Sequence, residues 1–303
     1  MPRYARRTRR SVARRKPSRR SSYRRSSVKK RTYRKKTSRK TILNISSRKK
    51  RNGMLSWSNT SSTGAFQTVA VGPAIINGTT GASFLWNATA QDLFNTNGRE
   101  NTIAEVAART STTCYMRGLA ETLRISTSTG LPWFHRRICF TAKSPFLPVP
   151  NPGATVVRPT FSETSNGIER LWFNASINND TQDVNNTNSV VFKGAFNVDW
   201  NDPIVAPLDT SRITVKYDKT FTYRSGNQVG TVKTKKFWHG MNSNLRYDDD
   251  EQGDYESSSY YSVQSKEGMG NYFVYDVFSP LTGATSTDIL RIDTNSTLYW
   301  HEK

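Results

Sequence analysis

The stretch Arg212-Ile213-Thr214-Val215-Lys216-Tyr217-Asp218-Lys219-Thr220-Phe221-Thr222-Tyr223-Arg224 carries the pattern that decides the fold class. Its apolar residues occupy alternate positions, at Ile213, Val215 and Tyr217 and again at Phe221 and Tyr223. Successive side chains of a β-strand point to opposite faces, so a period of two predicts a strand with one buried and one solvated face.

The same alternation occurs elsewhere in the chain. Val190, Phe192, Phe196, Val198 and Trp200 share one parity, which predicts a second half-buried strand over 190–200. Further strands are predicted over 115–125, 134–143, 168–175, 229–239, 271–278 and 288–300, with long loops over 146–158, 178–188 and 242–259. At least eight strands and few helical patterns predict an all-β sandwich or jelly roll.

The first 51 residues have a different composition. They hold 24 of the 45 Lys and Arg residues and no Asp or Glu, whereas residues 52–303 hold 21 basic and 23 acidic residues. The net charge of +22 is therefore the sum of +24 in the arm and −2 in the remainder. With few apolar side chains to bury, residues 1–51 are predicted to be a disordered arm, and residues 52–303 a folded body.

A polycation of this kind is expected to bind nucleic acid. Phosphate contacts release counterions whatever the base sequence, so binding should be tight, sequence-tolerant and weakened by salt. Tyr4, Tyr23 and Tyr33 lie between the cations, where they would stack on unpaired bases. The predicted nucleic-acid-binding residues are Arg6, Arg7, Arg9, Arg10, Arg14, Arg15, Lys16, Arg19, Arg20, Arg24, Arg25, Lys29, Lys30, Arg31, Arg34, Lys35, Lys36, Arg39, Lys40, Arg48, Lys49, Lys50 and Arg51.

Two clusters in the arm also match nuclear import signals, namely Arg34-Lys35-Lys36 and Arg48-Lys49-Lys50-Arg51. The arm lacks the apolar segment of a signal peptide and the apolar face of a membrane-bound helix. We therefore expect residence in the cytosol or nucleus, host import receptors as partners, and no membrane partner. Cys114 and Cys139 are predicted to be buried free thiols, because their spacing fits neither a zinc site nor a disulfide scaffold.

Secondary candidates for phosphate contact lie in the body, at Arg136 and Arg137 and at Lys233 and Lys235. Lys233 and Lys235 share one face of a predicted strand, and Lys236 points away.

The acidic stretch around Asp248, Asp250 and Asp254 would be the place for a hard cation. It lacks EF-hand spacing, because Ser259 stands at the twelfth position from Asp248, and a solvated loop with no metal is predicted. His135, His239 and His301 have no partners at catalytic spacing, and no phosphate-binding glycine loop precedes a helix. We expect no enzymatic activity and no cofactor.

A resemblance supports these expectations. The stretch Thr112-Thr113-Cys114-Tyr115-Met116-Arg117-Gly118-Leu119, the stretch Pro132-Trp133-Phe134-His135-Arg136-Arg137-Ile138-Cys139-Phe140 and the ending Thr297-Leu298-Tyr299-Trp300-His301-Glu302 resemble capsid proteins of genomoviruses. Further similarity lies in Tyr247-Asp248-Asp249-Asp250-Glu251 and Gly268-Met269-Gly270-Asn271-Tyr272. These are small circular single-stranded DNA viruses of the gemycircularvirus type, related to geminiviruses.

The resemblance implies a single viral jelly roll, an eight-stranded antiparallel β-sandwich, with sixty copies forming an icosahedral shell around circular single-stranded DNA. It also implies a virion protein that assembles in the host nucleus. Sixty arms would carry about 1,440 positive charges, enough for roughly as many phosphates.

Two other classes remain open at this stage. One is a non-assembling single-stranded nucleic-acid-binding or movement protein with a β-sandwich body. The other is a nuclease that holds a metal in the acidic loop.

Overall fold

The computed structural model describes residues 38–143 and 152–303, and β-strands dominate this part of the chain. Its helices are α1 (Arg39–Ser46) and α2 (Thr181–Val191), with a short 3₁₀ helix at Ala175–Ile177. Its strands are β1 (Arg48–Met54), β2 (Ser56–Thr60), β3 (Phe66–Val71), β4 (Ala74–Asn77), β5 (Ala82–Asn87), β6 (Thr113–Thr127), β7 (Trp133–Ala142), β8 (Ser162–Thr164), β9 (Gly167–Trp172), β10 (Thr214–Tyr223), β11 (Val232–Arg246), β12 (Asp250–Gln252), β13 (Tyr255–Ser257), β14 (Asn271–Pro280) and β15 (Ile289–Glu302). No helix among these residues is long and apolar enough to cross a membrane.

Two antiparallel sheets account for the longest strands. The first has the order β1-β15-β6-β11, and β4 pairs with the part of β15 that lies beyond β1. The second has the order β10-β7-β14-β5. A smaller sheet, β3-β2-β9-β8, contains a parallel pair between β2 and β9, while β12 and β13 form a separate hairpin. The strand predicted over residues 213–224 is confirmed as β10.

The apolar core lies between the two main sheets. Leu119 and Trp300 of the first sheet pack in one cluster with Val274 of the second. A neighbouring cluster joins Ile292 of the first sheet to Phe84 of the second. The predicted all-β sandwich is confirmed at this level, since each sheet buries one face against the other. Cys114 and Cys139 are buried and free, as predicted.

The strand predicted over residues 190–200 is wrong. Helix α2 covers most of the loop predicted over 178–188 and extends to Val191, inside the predicted strand. The Asp180 side chain caps its first turn. Gly194 and Asn197 then adopt positive φ angles of 83° and 62°, which interrupt any extended run. Phe192 and Trp200 are buried against the outer face of the β10-β7-β14-β5 sheet. Their matching parity therefore reflects anchoring of an irregular layer rather than a strand.

The folded body begins before Asn52. Strand β1 starts at Arg48 and pairs with β15 through seven consecutive residues, Arg48 with Glu302 and Met54 with Ser296 being the first and last pairs. Leu43–Lys303 form one compact unit of the backbone. The boundary predicted at residues 51 and 52 is corrected accordingly, because residues 48–51 are part of a sheet.

Candidate nucleic-acid interface

Most of the predicted nucleic-acid-binding residues, from Arg6 to Lys36, lie outside the described residues, as do Tyr4, Tyr23 and Tyr33 and the import cluster at 34–36. Arg39 and Lys40 lie at the start of α1. The structure therefore bears on the last four arm cations and on the basic residues of the body.

The four cations of β1 differ in their surroundings. Arg48, Lys49 and Arg51 are exposed, whereas Lys50 is buried. The Lys50 ammonium lies 3.1 Å from Glu302 Oε2 and donates to the carbonyl of Ala108 at 2.7 Å. The prediction that Lys50 contacts phosphate is corrected: its charge is already neutralised inside the body. The import cluster 48–51 is likewise held in the sheet.

Arg136 is also corrected as a phosphate ligand. Its guanidinium makes a two-point contact with Asp218, at 2.9 Å to Oδ1 and 2.8 Å to Oδ2. A third nitrogen donates to the carbonyl oxygens of Pro203 and Ala206 at 2.9 and 2.6 Å. This arginine ties the layer over the second sheet to β7 and β10.

Arg137 is fully buried between the sheets and is corrected for the same reason. Its Nε lies 2.7 Å from Asp276 Oδ1, and its Nη1 lies 2.6 Å from Glu121 Oε2. Arg170 contacts the same two carboxylates at 3.1 and 3.0 Å. Two guanidinium groups thus balance two carboxylates, and His135 completes the group through Nε2 at 2.8 Å from Asp276.

The protonation states of this buried group follow from its contacts. Burial by itself raises the pKa of Asp276, but the charge of Arg137 and the hydrogen bond from His135 hold it well below its usual range. Burial lowers the pKa of His135 more than Asp276 raises it. Neutral His135 therefore donates from Nε2 to Asp276 and accepts at Nδ1 from the Tyr223 hydroxyl, 3.0 Å away. The group is charge-balanced and hydrogen-bonded.

Lys233 and Lys235 lie on β11, the edge strand of the first sheet. Lys233 is exposed, and the Lys235 ammonium lies 4.4 Å from the centre of the Phe221 ring on β10. Both lysines have the parity of Phe237 and His239, whose rings face the gap between the two sheets. These lysines therefore belong to the side of the sandwich rather than to the outer face of the sheet.

The acidic stretch forms the β12-β13 hairpin. Asp248, Asp250 and Asp254 are exposed, but Asp249 turns inward and holds Arg109 through contacts of 2.5 and 3.0 Å. Within the described ranges, no group of three or more acidic, His or Cys side chains is arranged to hold a metal ion.

The outer face of the β1-β15-β6-β11 sheet brings together cations from four strands. We call this surface the cationic sheet face. Among the outward-facing residues of these strands, the charged ones are Lys49, Arg51, Arg117, Arg124, Lys236, Arg246, Arg291 and the acid Asp293, and the aromatic ones are Tyr115, Trp238, Tyr299 and His301. Arg246 is paired with Glu267. Asp293 is occupied by Arg124 and Arg291, at 3.0 and 2.8 Å.

The pKa of His301 is lowered by burial and by neighbouring cations. Partial burial lowers the pKa, and the positive charges of Arg117 and Lys49 lower it further. His301 stands opposite Lys49 in the pairing of β15 with β1, and its ring lies 6.1 Å from that of Tyr115. Burial and the two cations therefore all favour the neutral form of His301.

Sequence reasoning missed most of this face. The relevant signal was the parity of residues 236–239, in which Lys236 and Trp238 alternate with Phe237 and His239. Hydrophobicity alone does not tell which set faces out, and the structure buries His239 while exposing Trp238. The missed residues are Arg117, Arg124, Lys236, Arg291, Tyr115, Trp238, Tyr299 and His301.

No protein-family profile and no curated protein sequence matches this chain. The genomovirus resemblance therefore stays a prediction from the sequence.

Proposed function

We propose that this chain is the capsid protein of a small single-stranded DNA virus, in which the body assembles into a closed shell and the basic arm packages the genome. The observation that carries the proposal is the strand order. We number the eight main strands one to eight in chain order. They are β1, β5, β6, β7, β10, β11, β14 and β15.

The pairing of these eight strands supports a single jelly roll. Strand one pairs with eight, two with seven, three with six and four with five. The remaining pairs, eight with three and seven with four, join them into two four-stranded sheets. A long antiparallel ribbon that is folded over on itself has this order, and it is the architecture of many virus shells.

The charge distribution supports the packaging role. The arm carries 24 cations, so many copies brought together without a polyanion would repel one another strongly. Shell assembly and genome condensation would then be coupled. A nearly neutral body, at −2 over residues 52–303, allows copies to pack against one another.

We further propose that the protein enters the host nucleus and ends in the virion. Of the two predicted import clusters, Arg34-Lys35-Lys36 is the better candidate once the body is folded. The cluster 48–51 is paired with β15, and Lys50 is buried, so a receptor would have to open the sheet to bind it.

The experiment removes residues 1–47, which takes 20 of the 24 arm cations and leaves β1 intact. The particles are examined by electron microscopy and analysed for nucleic-acid content. We expect uniform closed particles from the full chain, and failed assembly or particles depleted of DNA from the truncated chain. Normal particles with a full DNA content would overturn the role of the arm.

Sedimentation separates this proposal from a non-assembling binding or movement protein. If the full chain stays monomeric or dimeric at every salt and nucleic-acid concentration, the shell function is wrong and the alternative stands.

A further inference from the structure

Trp238, which is exposed, and Tyr299, which is half-buried, form an aromatic pair on the cationic sheet face. Their ring centres are 5.8 Å apart at an angle of 55°. The Trp238 side chain is 56% exposed although it lies in the middle of a long strand. Burial of an indole ring is favourable, and Trp is enriched at binding interfaces, so an exposed Trp beside a second ring is a candidate contact for a ligand.

The indole ring of Trp238 packs against Gly118. A Cβ atom at Gly118 would lie 2.9 Å from Cζ2 and 3.1 Å from Cη2 of Trp238. The ring therefore lies across β6 from its own strand, β11, and reaches toward Tyr299 on β15. A Cβ at Gly240 would lie 3.5 Å from the indole Nε1, so small residues flank the ring on two strands. The edge of the indole that carries Nε1, Cζ2 and Cη2 therefore runs along the two glycines, and more than half of the side chain stays exposed to solvent.

The residues beside this pair have short side chains. Along one row of the sheet, Trp238 is followed by Ala120, Thr297 and Gly53 on successive strands. Short side chains here leave the ring faces accessible to a planar ligand. The row is therefore a shallow surface, and the aromatic rings and the neighbouring cations project above it.

Cations stand on several sides of the pair. Arg51 is directly opposite Tyr299 in the pairing of β1 with β15. Lys236 precedes Trp238 by two residues and points to the same face. Arg117 adjoins Gly118 and is oriented by a hydrogen bond of 2.5 Å from Nη1 to Asn242 Oδ1. Exposed rings between cations with a shallow floor are the features of single-strand binding surfaces.

We propose that the cationic sheet face binds unpaired nucleotides, with bases stacked on Trp238 and Tyr299 and phosphates held by Arg51, Arg117 and Lys236. The inference rests on the proposed packaging function and adds a second contact, on the folded body, to that of the arm. Charge selects an anionic ligand, and exposed ring faces select one with accessible flat faces. Paired bases hide those faces in the duplex, so single strands are preferred.

The first test is cross-linking of the full chain to an oligonucleotide of 5-bromodeoxyuridine, followed by mass spectrometry. We expect cross-linked peptides that contain Trp238 or Tyr299 in addition to those from the arm. Tyr255 is the internal control, because it is equally exposed at 56% but lies on the acidic hairpin. Cross-links confined to the arm, or equally frequent at Tyr255, would overturn the inference.

The second test measures oligo(dT) affinity at about 0.5 M salt, where phosphate contacts of the arm are strongly weakened. Trp238→Ala should weaken binding roughly fivefold to a hundredfold, the usual range for loss of one stacked base. Trp238→Phe should keep most of the affinity, and Tyr255→Ala should match the parent chain. Equal affinities for all four proteins would contradict the proposal, provided that circular dichroism shows each variant folded.

A second copy of this chain is the rival occupant of the face. If a second copy covers the face, acrylamide should not quench the fluorescence of Trp238 in assembled particles emptied of nucleic acid. Comparison with the Trp238→Phe variant identifies the fluorescence that comes from Trp238. If acrylamide quenches Trp238 in empty particles and nucleic acid blocks that quenching, the proposal is supported. If Trp238 is protected in particles without nucleic acid, the proposal is overturned. Either result leaves the shell function standing, since assembly is scored separately by microscopy.

Discussion

The Lys50 ammonium lies 3.1 Å from the Glu302 carboxylate, and this buried pair joins the first strand after the arm to β15. The Glu302 oxygens also accept from the Thr110 hydroxyl at 2.6 Å and from the Trp300 indole nitrogen at 2.7 Å. Burial raises the pKa of Glu302, but these hydrogen bonds outweigh it and hold the pKa below its usual value. Lys50 was assigned to the arm because of the basic composition there, but it is part of the buried interior of the body.

Removal of this cation should destabilise the body. Lys50→Ala leaves Glu302 buried without its charge partner, and we expect a loss of about 3 kcal/mol in the free energy of unfolding. Lys49→Ala is the matched control, because its exposed neighbour should change stability by no more than about 0.5 kcal/mol. Urea unfolding of the full chain measures both, and equal effects would contradict the assignment of Lys50 to the core.

The boundary of the arm can be tested by two truncations. Removing residues 1–47 should leave the thermal midpoint of the body nearly unchanged, since all of β1 is retained. Removing residues 1–54 should lower soluble yield and stability, because it exposes the edge of β15 and takes Met54 out of the core. Similar behaviour of the two truncated chains would show that β1 is dispensable.

Gly118 should tolerate no side chain. Gly118→Ala places a Cβ 2.6 Å from the His239 carbonyl oxygen and against the Trp238 ring, so we expect a loss of about 1–3 kcal/mol. Gly53→Ala on the same face is the control: its Cβ meets nothing within 4 Å, and the change should be neutral or slightly stabilising. Thermal unfolding compares them. A harmless Gly118→Ala would mean that the indole does not lie over β6.

Acid should destabilise the body through its buried histidines. Burial and the charge of Arg137 lower the pKa of His239 from 6.5 to about 4, so the unfolded chain binds the proton more readily. The contribution of His239 is fully present above about pH 6.5, declines as the pH falls to about 4, and is constant below. The full difference amounts to about 3 kcal/mol.

The variant His239→Gln isolates this effect. Between pH 7 and 4 its unfolding free energy should fall less steeply than that of the parent chain, and the two slopes should converge at the ends of the window. His135, whose pKa is also lowered, remains in both proteins and cancels in the comparison. Parallel slopes across the whole range would show that His239 is not the group responsible.

The all-β class could be predicted because alternation is a local property of the chain. The pattern over residues 213–224 became β10, and the patterns over 115–125 and 271–278 fall within β6 and β14. Alternation failed at residues 190–200, where Gly194 and Asn197 turn the backbone and the aromatic residues anchor an irregular layer. A short apolar repeat does not distinguish a strand from anchors that happen to fall at even spacing.

The cationic sheet face was not predicted from the sequence, which assigned nucleic-acid binding to the arm. In the body, the two arginines that the sequence suggested, Arg136 and Arg137, are buried, whereas Lys236 and Arg117 were not singled out. Each arginine found carboxylates contributed by strands distant in sequence, such as Asp276 for Arg137. Those partners are brought near only by the sheet order, which local patterns do not encode.

The sequence by itself determined that one end of this chain is a polycation and that the rest forms strands, because net charge and side-chain period need no tertiary contacts to be expressed. Only the tertiary structure decided which charged side chains are free to contact a ligand and which are neutralised inside the body. It neutralised Lys50 with Glu302 and placed Trp238 over Gly118 on an outer face. The reason is that burial of a charge requires a partner at about 3 Å, and which partner arrives depends on the pairing of strands far apart in the chain.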